Sequence, residues 1–218
     1  MSILPPEQAQ SILRAYCTTR EAAAILGVSL RTVQMWSNSG LLEVWKTQGG
    51  HRRVSRASVE RLVVRRPPKA GDAAPPVTSA GTASREQGRL LRILVAEDDP
   101  ILLDTYRVNL ADCPGCAALA TAENGYEALL LIGRSVPDLL VLDLHMPEFD
   151  GFQVLATLRK MHDFDAMHIV VVTGLSAEEI TLRGGIPADI PVLTKPVDYD
   201  RLRAVIAKLA KTNVRRAA

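Results

Sequence analysis

The sequence predicts a C-terminal α/β domain built on a five-stranded parallel sheet, preceded by a small, mainly helical domain. Between residues 90 and 212, short apolar runs alternate with helix-like stretches, as in parallel sheets whose strands are buried on both faces. Between residues 1 and 66, short helix signals follow one another closely. Residues 67–89 contain four prolines and no aromatic residue. That composition predicts a flexible, disordered linker between two domains.

The N-terminal domain opens with two short helices joined by a glycine turn. Thr18 is placed to cap a helix over 19–26, and Ser29 is placed to cap a second helix over 30–39. Gly27 lies between them, where a glycine allows the chain to reverse direction. Two helices with this connection predict a helix-turn-helix.

A hairpin is predicted next in the N-terminal domain. Residues 43–46 and 52–54 flank a glycine-containing segment, 47–51. This pattern is typical of two short strands joined by a loop, or wing. Ser55 then stands before a last apolar helix pattern. The whole domain therefore predicts a winged helix-turn-helix.

In the C-terminal domain, apolar runs supply the strands and capping residues start the helices. Most of the strands are visible as runs of Ile, Leu and Val, and the intervening helices carry apolar stripes at helical spacing. The helix starts are marked by proline in the first turn or by a capping side chain: Pro100, Asn124, Ser176 and Asp198. Alternating strands and helices predict a sheet covered on both faces.

Five polar residues follow these apolar runs directly: Asp98, Asp99, Asp143, Thr173 and Lys195. Ligands bind at the carboxyl ends of such strands, so we expect these side chains to meet at one edge. Three carboxylates repel one another unless a cation joins them, and Mg2+ prefers carboxylate oxygen and water. A lysine and a threonine beside them would hold phosphoryl oxygens. The pattern predicts an aspartate that accepts a phosphoryl group. Asp143 is the predicted acceptor, because it stands in the sequence between the acidic pair, Asp98 and Asp99, and Lys195.

The spacing of these residues resembles that of the receiver domain of bacterial response regulators. Asp143 follows Asp99 by 44 positions, Thr173 follows after 30 more, and Lys195-Pro196 after another 22. The segment 143–151 also resembles the loop that follows the acceptor strand in that family, and the likeness extends over about residues 90–209. It implies a flavodoxin-like, doubly wound fold.

The same resemblance implies a chemistry and a set of partners. Asp98, Asp99, Asp143 and the backbone carbonyl of His145 would hold Mg2+. A sensor histidine kinase or a phosphotransfer protein would donate the phosphoryl group, and the receiver would promote only its own phosphorylation and dephosphorylation, without being an enzyme in the usual sense. Lys195-Pro196 resembles the cis-proline junction of the family.

Two departures from the family pattern concern the output. Members of the family usually carry an aromatic residue three positions before the lysine, and this chain has Val192 there. Residues 183–187 should also end the fourth helix early, because they contain two glycines and a proline. Since Val192 has no ring to rotate, we expect phosphorylation to act by forming a homodimer.

The N-terminal domain resembles the winged helix-turn-helix of the MerR and excisionase families, over about residues 16–64. The matching pieces are 19–23, 26–29, 31–34, 39–42 and the wing 49–53. The resemblance implies that the second helix enters the DNA major groove and that the wing lies along the backbone. The candidate DNA contacts are Arg31, Thr32, Gln34, His51, Arg52 and Arg53.

Charge and composition agree with this division. Residues 1–66 carry ten Lys/Arg against four Asp/Glu, a net +6, whereas residues 90–218 carry thirteen against eighteen, a net −5. A basic module suggests a polyanionic partner such as DNA. No apolar run approaches a membrane span, and three cysteines argue against a secreted disulfide scaffold. We expect a cytoplasmic protein without a membrane partner.

The favoured hypothesis is a response regulator whose phosphorylation controls DNA binding and transcription. One alternative is a phosphorylation-dependent regulator whose winged domain docks on a protein. Another is a true enzyme such as an acyl-phosphate phosphatase. Cys113 and Cys116 have the spacing of redox and zinc sites, but no second pair accompanies them, and we interpret their role as structural or incidental.

Overall fold

Two separate sheets organise the chain in the computed structural model, which describes residues 15–46, 50–63, 90–161 and 164–216. The predicted linker, 67–89, lies outside these residues. One sheet has three antiparallel strands and belongs to the N-terminal domain, and the other has five parallel strands and belongs to the C-terminal domain. Within the described residues, no helix is long and apolar enough to span a bilayer.

The two predicted helices of the N-terminal domain are confirmed. Helix α1 spans Thr19–Leu26, and its cap Thr18 exchanges hydrogen bonds with Glu21 in a capping box. Helix α2 spans Leu30–Ser39 and is capped by Ser29. Gly27 adopts a left-handed conformation between them, with φ 66°, which a glycine adopts without a steric penalty. The arrangement is a helix-turn-helix.

The predicted hairpin is also present, and it has a third strand that the sequence did not indicate. Strands β2, Val44–Lys46, and β3, Arg52–Ser55, pair antiparallel, and helix α3 follows at Arg56–Val63. Strand β1, Tyr16–Thr18, pairs with the other edge of β3. The wing is therefore fastened to the start of α1 through the sheet.

The C-terminal domain has the predicted doubly wound architecture. Its strands are β4 (Leu91–Ala96), β5 (Cys116–Ala122), β6 (Leu139–Leu142), β7 (His168–Thr173) and β8 (Val192–Thr194). Its helices are α4 (Pro100–Leu110), α5 (Gly125–Arg134), α6 (Gly151–Arg159), α7 (Ala177–Leu182) and α8 (Tyr199–Arg216). The strand order is β5-β4-β6-β7-β8, all parallel, so all five carboxyl ends lie at one edge.

Most of the helix starts in this domain follow the predicted capping signals. Asn124 and Ser176 accept hydrogen bonds from backbone N–H groups at the starts of α5 and α7, and Asp198 does so at the start of α8. Helix α7 has only six residues and ends before Gly184 and Gly185, which both have positive φ. The predicted early end of the fourth helix of this domain, which is α7, is confirmed.

The core of the C-terminal domain is divided by the sheet. Ile93 and Val95 of β4 face the layer that contains α4 and α8, whereas Leu94 and Ala96 face the layer that contains α5 and α6. This alternation follows from the two-residue period of a strand. The second layer is continuous with the buried residues of the winged domain, including Trp36. The two domains therefore share one apolar cluster.

Candidate functional site

Four strands of the parallel sheet deliver polar residues to the same edge. Glu97 follows β4, Asp143 follows β6, Thr173 ends β7 and Lys195 comes directly after β8. The hydrogen bonds between β4 and β6 continue to this edge, where the Asp143 N–H donates to the Ala96 carbonyl at 2.9 Å. Parallel pairing thus brings together groups that are widely separated in sequence.

Three carboxylates form a cluster at this edge. Carboxylate oxygens of Glu97, Asp98 and Asp143 all lie within 4.8 Å of one another. Glu97 and Asp143 are almost fully buried, with 2% and 3% exposure, whereas Asp98 faces solvent. The cluster therefore reaches solvent at Asp98.

Asp99 does not belong to this cluster, which corrects the predicted acidic pair. Its carboxylate caps helix α4, where Oδ1 accepts hydrogen bonds from the N–H of Ile101 at 2.8 Å and of Leu102 at 3.4 Å. Glu97 takes its place. The signal was present in the sequence, because Pro100 occupies the first helical position and so makes the preceding residue the cap.

Lys195 joins the two buried carboxylates. Its Nζ lies 2.7 Å from Asp143 Oδ2 and donates to Glu97 Oε1 at 2.9 Å. Burial by itself lowers the pKa of the Lys195 ammonium, but its hydrogen bonds to Asp143 and Glu97 outweigh that effect and raise the pKa above its usual value. Lys195 is therefore held as a cation against the acidic cluster.

Glu97 is the carboxylate of the cluster whose ionised form is disfavoured by its surroundings. Burial raises the pKa of its carboxyl group, the hydrogen bond from Lys195 lowers it in part, and the charge of Asp143 raises it further. Its Oε2 lies 2.7 Å from Lys195 Nζ and forms an ion pair with that ammonium. One ammonium thus faces three carboxylates, so the cluster keeps an excess of negative charge.

This donor set fits the expected Mg2+. A hard divalent cation takes carboxylate oxygens and water, and the cluster offers carboxylate oxygens from Glu97, Asp98 and Asp143. His145 is also at the site, where its backbone N–H donates to Asp143 Oδ1 at 3.1 Å. The predicted role of the His145 carbonyl stays a prediction, because the observed contact is made by the N–H.

Thr173 and Gly174 form the remaining wall of this edge. Thr173 is fully buried, and its Oγ1 accepts a hydrogen bond from the Leu175 N–H at 3.3 Å. Its hydroxyl is therefore turned toward the loop after β7. The space beside Gly174 is open, since a Cβ at that position would have no described heavy atom within 4 Å. Lys195-Pro196 is a cis peptide, as the resemblance implied.

The electrostatics of the cluster predict how metal affects stability. Folding raises the pKa of the Glu97 carboxyl group, so the folded protein binds this proton more tightly than the unfolded chain does. The resulting stabilisation is complete below the pKa of the unfolded state and is lost as the pH rises through the pKa of the folded state. At neutral pH, Glu97→Gln should therefore raise the thermal midpoint in EDTA. The wild-type protein should gain about 1.4 kcal/mol from Mg2+ at tenfold excess over its dissociation constant, and the variant should gain less.

Thermal unfolding in EDTA and in excess Mg2+ measures both effects. Glu60→Gln serves as the control, because Glu60 is an exposed residue on α3 and should leave both midpoints unchanged. A Glu97→Gln protein that is less stable than wild type in EDTA would contradict the proposed repulsion.

The winged domain has a second candidate site between its second helix and the wing. Gln34, His51, Arg52 and Arg53 line an open groove of about 500 Å³ together with Thr18 and Thr19. Arg52 Nη1 donates to Asn38 Oδ1 at 3.0 Å, which ties the wing to α2. Arg31 is exposed on the same helix. A basic groove of this form suits the backbone of a nucleic acid.

Thr32 is absent from this groove, which corrects its predicted place among the DNA contacts. It is 5% exposed, and its hydroxyl donates to the Gly133 carbonyl at 3.4 Å. Two residues along an α-helix correspond to a turn of about 200°. Thr32 therefore points away from Gln34 and toward the C-terminal domain, a contact that only the folded chain reveals.

Comparison with known families agrees with both domains. The model of the response regulator receiver domain matches residues 93–207, and the model of a helix-turn-helix domain matches residues 16–66. An uncharacterized 14.6 kDa protein in the sodA1 3′ region of Leptolyngbya boryana is 38% identical over 109 residues, which cover 49% of this chain and 79% of that protein.

Two further matches are to proteins with named roles. The probable C4-dicarboxylate response regulator DctR of Bacillus subtilis is 32% identical over 117 residues, covering 54% of this chain and 51% of that protein. The signal receiver domain of a signal transduction histidine kinase from Syntrophus aciditrophicus superposes with a TM-score of 0.50 at 26% identity, covering 56% of this chain and 91% of that one.

These matches concern mainly the C-terminal domain, and the chain spans only about half of the length of DctR. The parallel sheet, the acidic cluster at its carboxyl edge and the lysine that bridges it are thus found in a domain that the receiver model covers from β4 to α8. The chain belongs to the response regulator receiver family and carries a helix-turn-helix domain before its receiver.

Proposed function

We propose that this response regulator accepts a phosphoryl group on Asp143 and that the modification controls DNA binding by the winged domain. The observation that carries the proposal is the bridge from Lys195 to Asp143 and Glu97 inside the acidic cluster. Lys195 partly offsets the negative charge around the buried Asp143 carboxylate, which lies beside the exposed Asp98. Phosphoryl transfer requires this combination of an oriented nucleophile and charge neutralisation.

Both oxygens of Asp143 are held in position for the reaction. The His145 N–H fixes Oδ1, and Lys195 Nζ fixes Oδ2. An oxygen of Asp143 would form a bond to phosphorus while the bond from phosphorus to the donor nitrogen of a phosphohistidine breaks, and the freed imidazole nitrogen takes up a proton. Lys195 would then follow the negative charge onto the phosphoryl oxygens. Mg2+, when bound, would supply further neutralisation of the same oxygens.

The loop after β7 can respond to the new phosphoryl group. Thr173 Oγ1 is engaged with the Leu175 N–H, and donation of its hydroxyl to a phosphoryl oxygen would require this loop to rearrange. Gly174 leaves room for the incoming donor. The groove that contains Gln34 and Arg52 supplies the output surface.

The partners belong to the same proposal. A sensor histidine kinase or phosphotransfer protein would supply the phosphoryl group, duplex DNA would bind the winged domain, and a homodimer formed on phosphorylation would place two winged domains at paired half-sites. The receiver would act on its own aspartate and not turn over a separate substrate. Turnover of a small phosphate ester would favour an acyl-phosphate phosphatase instead.

A gel shift with genomic DNA fragments tests the proposal. The full chain should bind DNA with an affinity that changes when acetyl phosphate and Mg2+ are added, and Asp143→Asn should remove that change. The alternative function, docking on a protein partner, predicts DNA binding that is absent or indifferent to the phosphodonor. Those results would overturn the proposed output while leaving the acceptor chemistry to be tested by labelling.

The wing should contribute measurably to the salt dependence of DNA binding. Each phosphate contact contributes about −0.9 to the slope of log affinity against log salt concentration on duplex DNA. Replacing Arg52 and Arg53 by Ala should therefore flatten the slope by about 1.8 and weaken binding to all sequences alike. Titration of a labelled duplex at several salt concentrations measures the slope.

A matched pair of substitutions controls for net charge. Arg201→Ala with Lys211→Ala removes two exposed positive charges from α8 of the receiver and should leave the slope near the wild-type value. Equal flattening in both double variants would mean that the wing does not contact the backbone and that only the total charge of the protein matters.

A further inference from the structure

We infer that the C-terminal end of helix α5 is a docking surface for the winged domain of the same chain. This surface contacts the side of helix α2 that faces away from the groove beside the wing. The docking surface consists of Gly133 and Arg134. We also infer that α5 couples this surface to the loop that follows Asp143. The coupling rests on the proposed function, whereas the docking does not.

Gly133 brings the backbone of α5 against the second helix of the winged domain. A Cβ at Gly133 would lie 2.5 Å from Trp36 Cζ2 and 2.9 Å from Thr32 Cγ2. The edge of the indole ring therefore packs directly against the backbone of α5, and a side chain at position 133 would clash with the ring in this arrangement. The Thr32 hydroxyl donates to the Gly133 carbonyl at 3.4 Å, which adds a polar contact beside the apolar one.

Arg134 completes the end of helix α1. Its Nε and Nη2 donate to the Leu26 carbonyl at 3.0 and 2.9 Å. Leu26 is the last residue of α1, and the last carbonyls of a helix have no partner within the helix. A cation at this end also interacts favourably with the helix dipole. The receiver thus supplies a C-terminal cap to a helix of the other domain.

The contact is apolar as well as polar. Trp36 is 1% exposed in the whole chain, and its cluster contains both winged-domain residues such as Leu26 and α5 residues such as Leu129 and Leu130. Helices α3 and α5 are also in contact. A continuous buried cluster distinguishes this surface from two domains that merely touch.

Docking leaves the DNA-facing side of α2 open. Thr32 and Trp36 are four residues apart and share one side of the helix, whereas Gln34 lies two residues from each, about 200° away. Gln34 and Asn38 are exposed, and Gln34 lines the groove beside the wing. The receiver and a DNA duplex would therefore contact opposite sides of the same helix.

The other end of α5 contacts the acceptor loop. A Cβ at Gly125, the first residue of α5, would lie 2.2 Å from the Phe149 carbonyl oxygen, and the rings of Tyr126 and Phe149 are 4.6 Å apart. Phe149 belongs to the loop that begins at Asp143. Helix α5, which has ten residues and is about 15 Å long, thus joins the acceptor loop to helix α2. This route does not need an aromatic residue at Val192.

The docking is tested with Trp36 as a fluorescent probe in the full chain. Trp45→Phe removes the other tryptophan, which is on the wing strand β2 and 43% exposed. In this background, Gly133→Ala should shift the emission to the red and make acrylamide quenching several-fold stronger, because the new methyl group displaces the indole. Alanine has a higher helix propensity than glycine, so circular dichroism should show that α5 is retained.

The control is Val108→Ala, at an exposed position on α4, which should leave emission and quenching unchanged. Arg134→Ala, which deletes the cap on α1 without adding bulk, should shift both readouts in the same direction as Gly133→Ala. Emission and quenching that stay at the wild-type level in Gly133→Ala would overturn the docking.

The coupling is tested by adding Mg2+ and beryllofluoride, a mimic of the phosphoryl group, to the protein with Trp36 alone. Trp36 emission should change, and the change should be absent in Asp143→Asn and in Gly133→Ala. Fluorine NMR reports binding of beryllofluoride independently. Binding without a change at Trp36 would overturn the coupling. Absence of binding would overturn the proposed function and the coupling with it, whereas the docking is decided by Gly133→Ala.

Discussion

Replacing Asp143 by Asn should abolish labelling of the protein by radioactive acetyl phosphate in the presence of Mg2+. Asp143 is the one carboxylate of the described cluster that contacts both Lys195 Nζ and the His145 N–H. An amide at this position keeps the shape of the side chain but is not a nucleophile toward phosphorus. Glu97 and Asp98 lie close by, yet neither has both of these contacts. We expect labelling at background level.

Asp104→Asn is the matched control, because Asp104 is exposed on α4 and pairs with Arg107. It should be labelled like the wild type. The label should be lost on treatment with hydroxylamine, as an acyl phosphate is. Label that persists in Asp143→Asn, or that resists hydroxylamine, would show that the acceptor is a different residue or a different chemical group.

Replacing Gly151 by Ala should lower the free energy of unfolding by about 3 kcal/mol, the upper part of the range for overpacked sites. A Cβ at Gly151 would lie 2.2 Å from the Asp143 carbonyl oxygen and 2.8 Å from Leu144 Cα. Both are backbone atoms, so no side-chain rotation relieves the clash. The acceptor loop itself must move. Helix propensity acts in the opposite direction, since alanine is favoured over glycine by about 1 kcal/mol.

Urea unfolding of the full chain measures this loss, and labelling by acetyl phosphate reports its effect on the site. Gly174→Ala is the control, because its Cβ would meet no described heavy atom within 4 Å, and it should unfold near the wild-type midpoint. If the two variants unfold at the same urea concentration, the close approach of α6 to the Asp143 backbone is not a constraint on the fold.

Most of the fold was predictable from the sequence because its signals are local. Thr18 and Ser29 announce the helices that they cap, and buried parallel strands appear as apolar runs. Strand β1 was not predicted. Its three residues, Tyr16–Thr18, carry too short a pattern, and the strand is defined by its pairing with β3, which is a tertiary contact.

The candidate site was predictable where one residue marks a strand end and less so elsewhere. Asp143 and Lys195 each directly follow a strand, and the structure brings them to 2.7 Å. Three consecutive acids follow β4, and only the capping role that Pro100 assigns to Asp99 separates that residue from the two that face the site. Thr32 was misplaced for a different reason: no local pattern shows that a helix of one domain packs on a helix of the other.

The contact of Gly133 and Arg134 with the winged domain also has a thermodynamic consequence. Two surfaces carried on one chain meet at an effective concentration on the order of millimolar, so the contact is populated more fully than the same contact between separate proteins would be. A change of about 1.4 kcal/mol in the free energy of docking alters the ratio of docked to undocked molecules tenfold. A rearrangement at the acceptor loop that changes this free energy would therefore shift the docked fraction in each phosphorylated molecule, and the response of the population would follow the extent of phosphorylation.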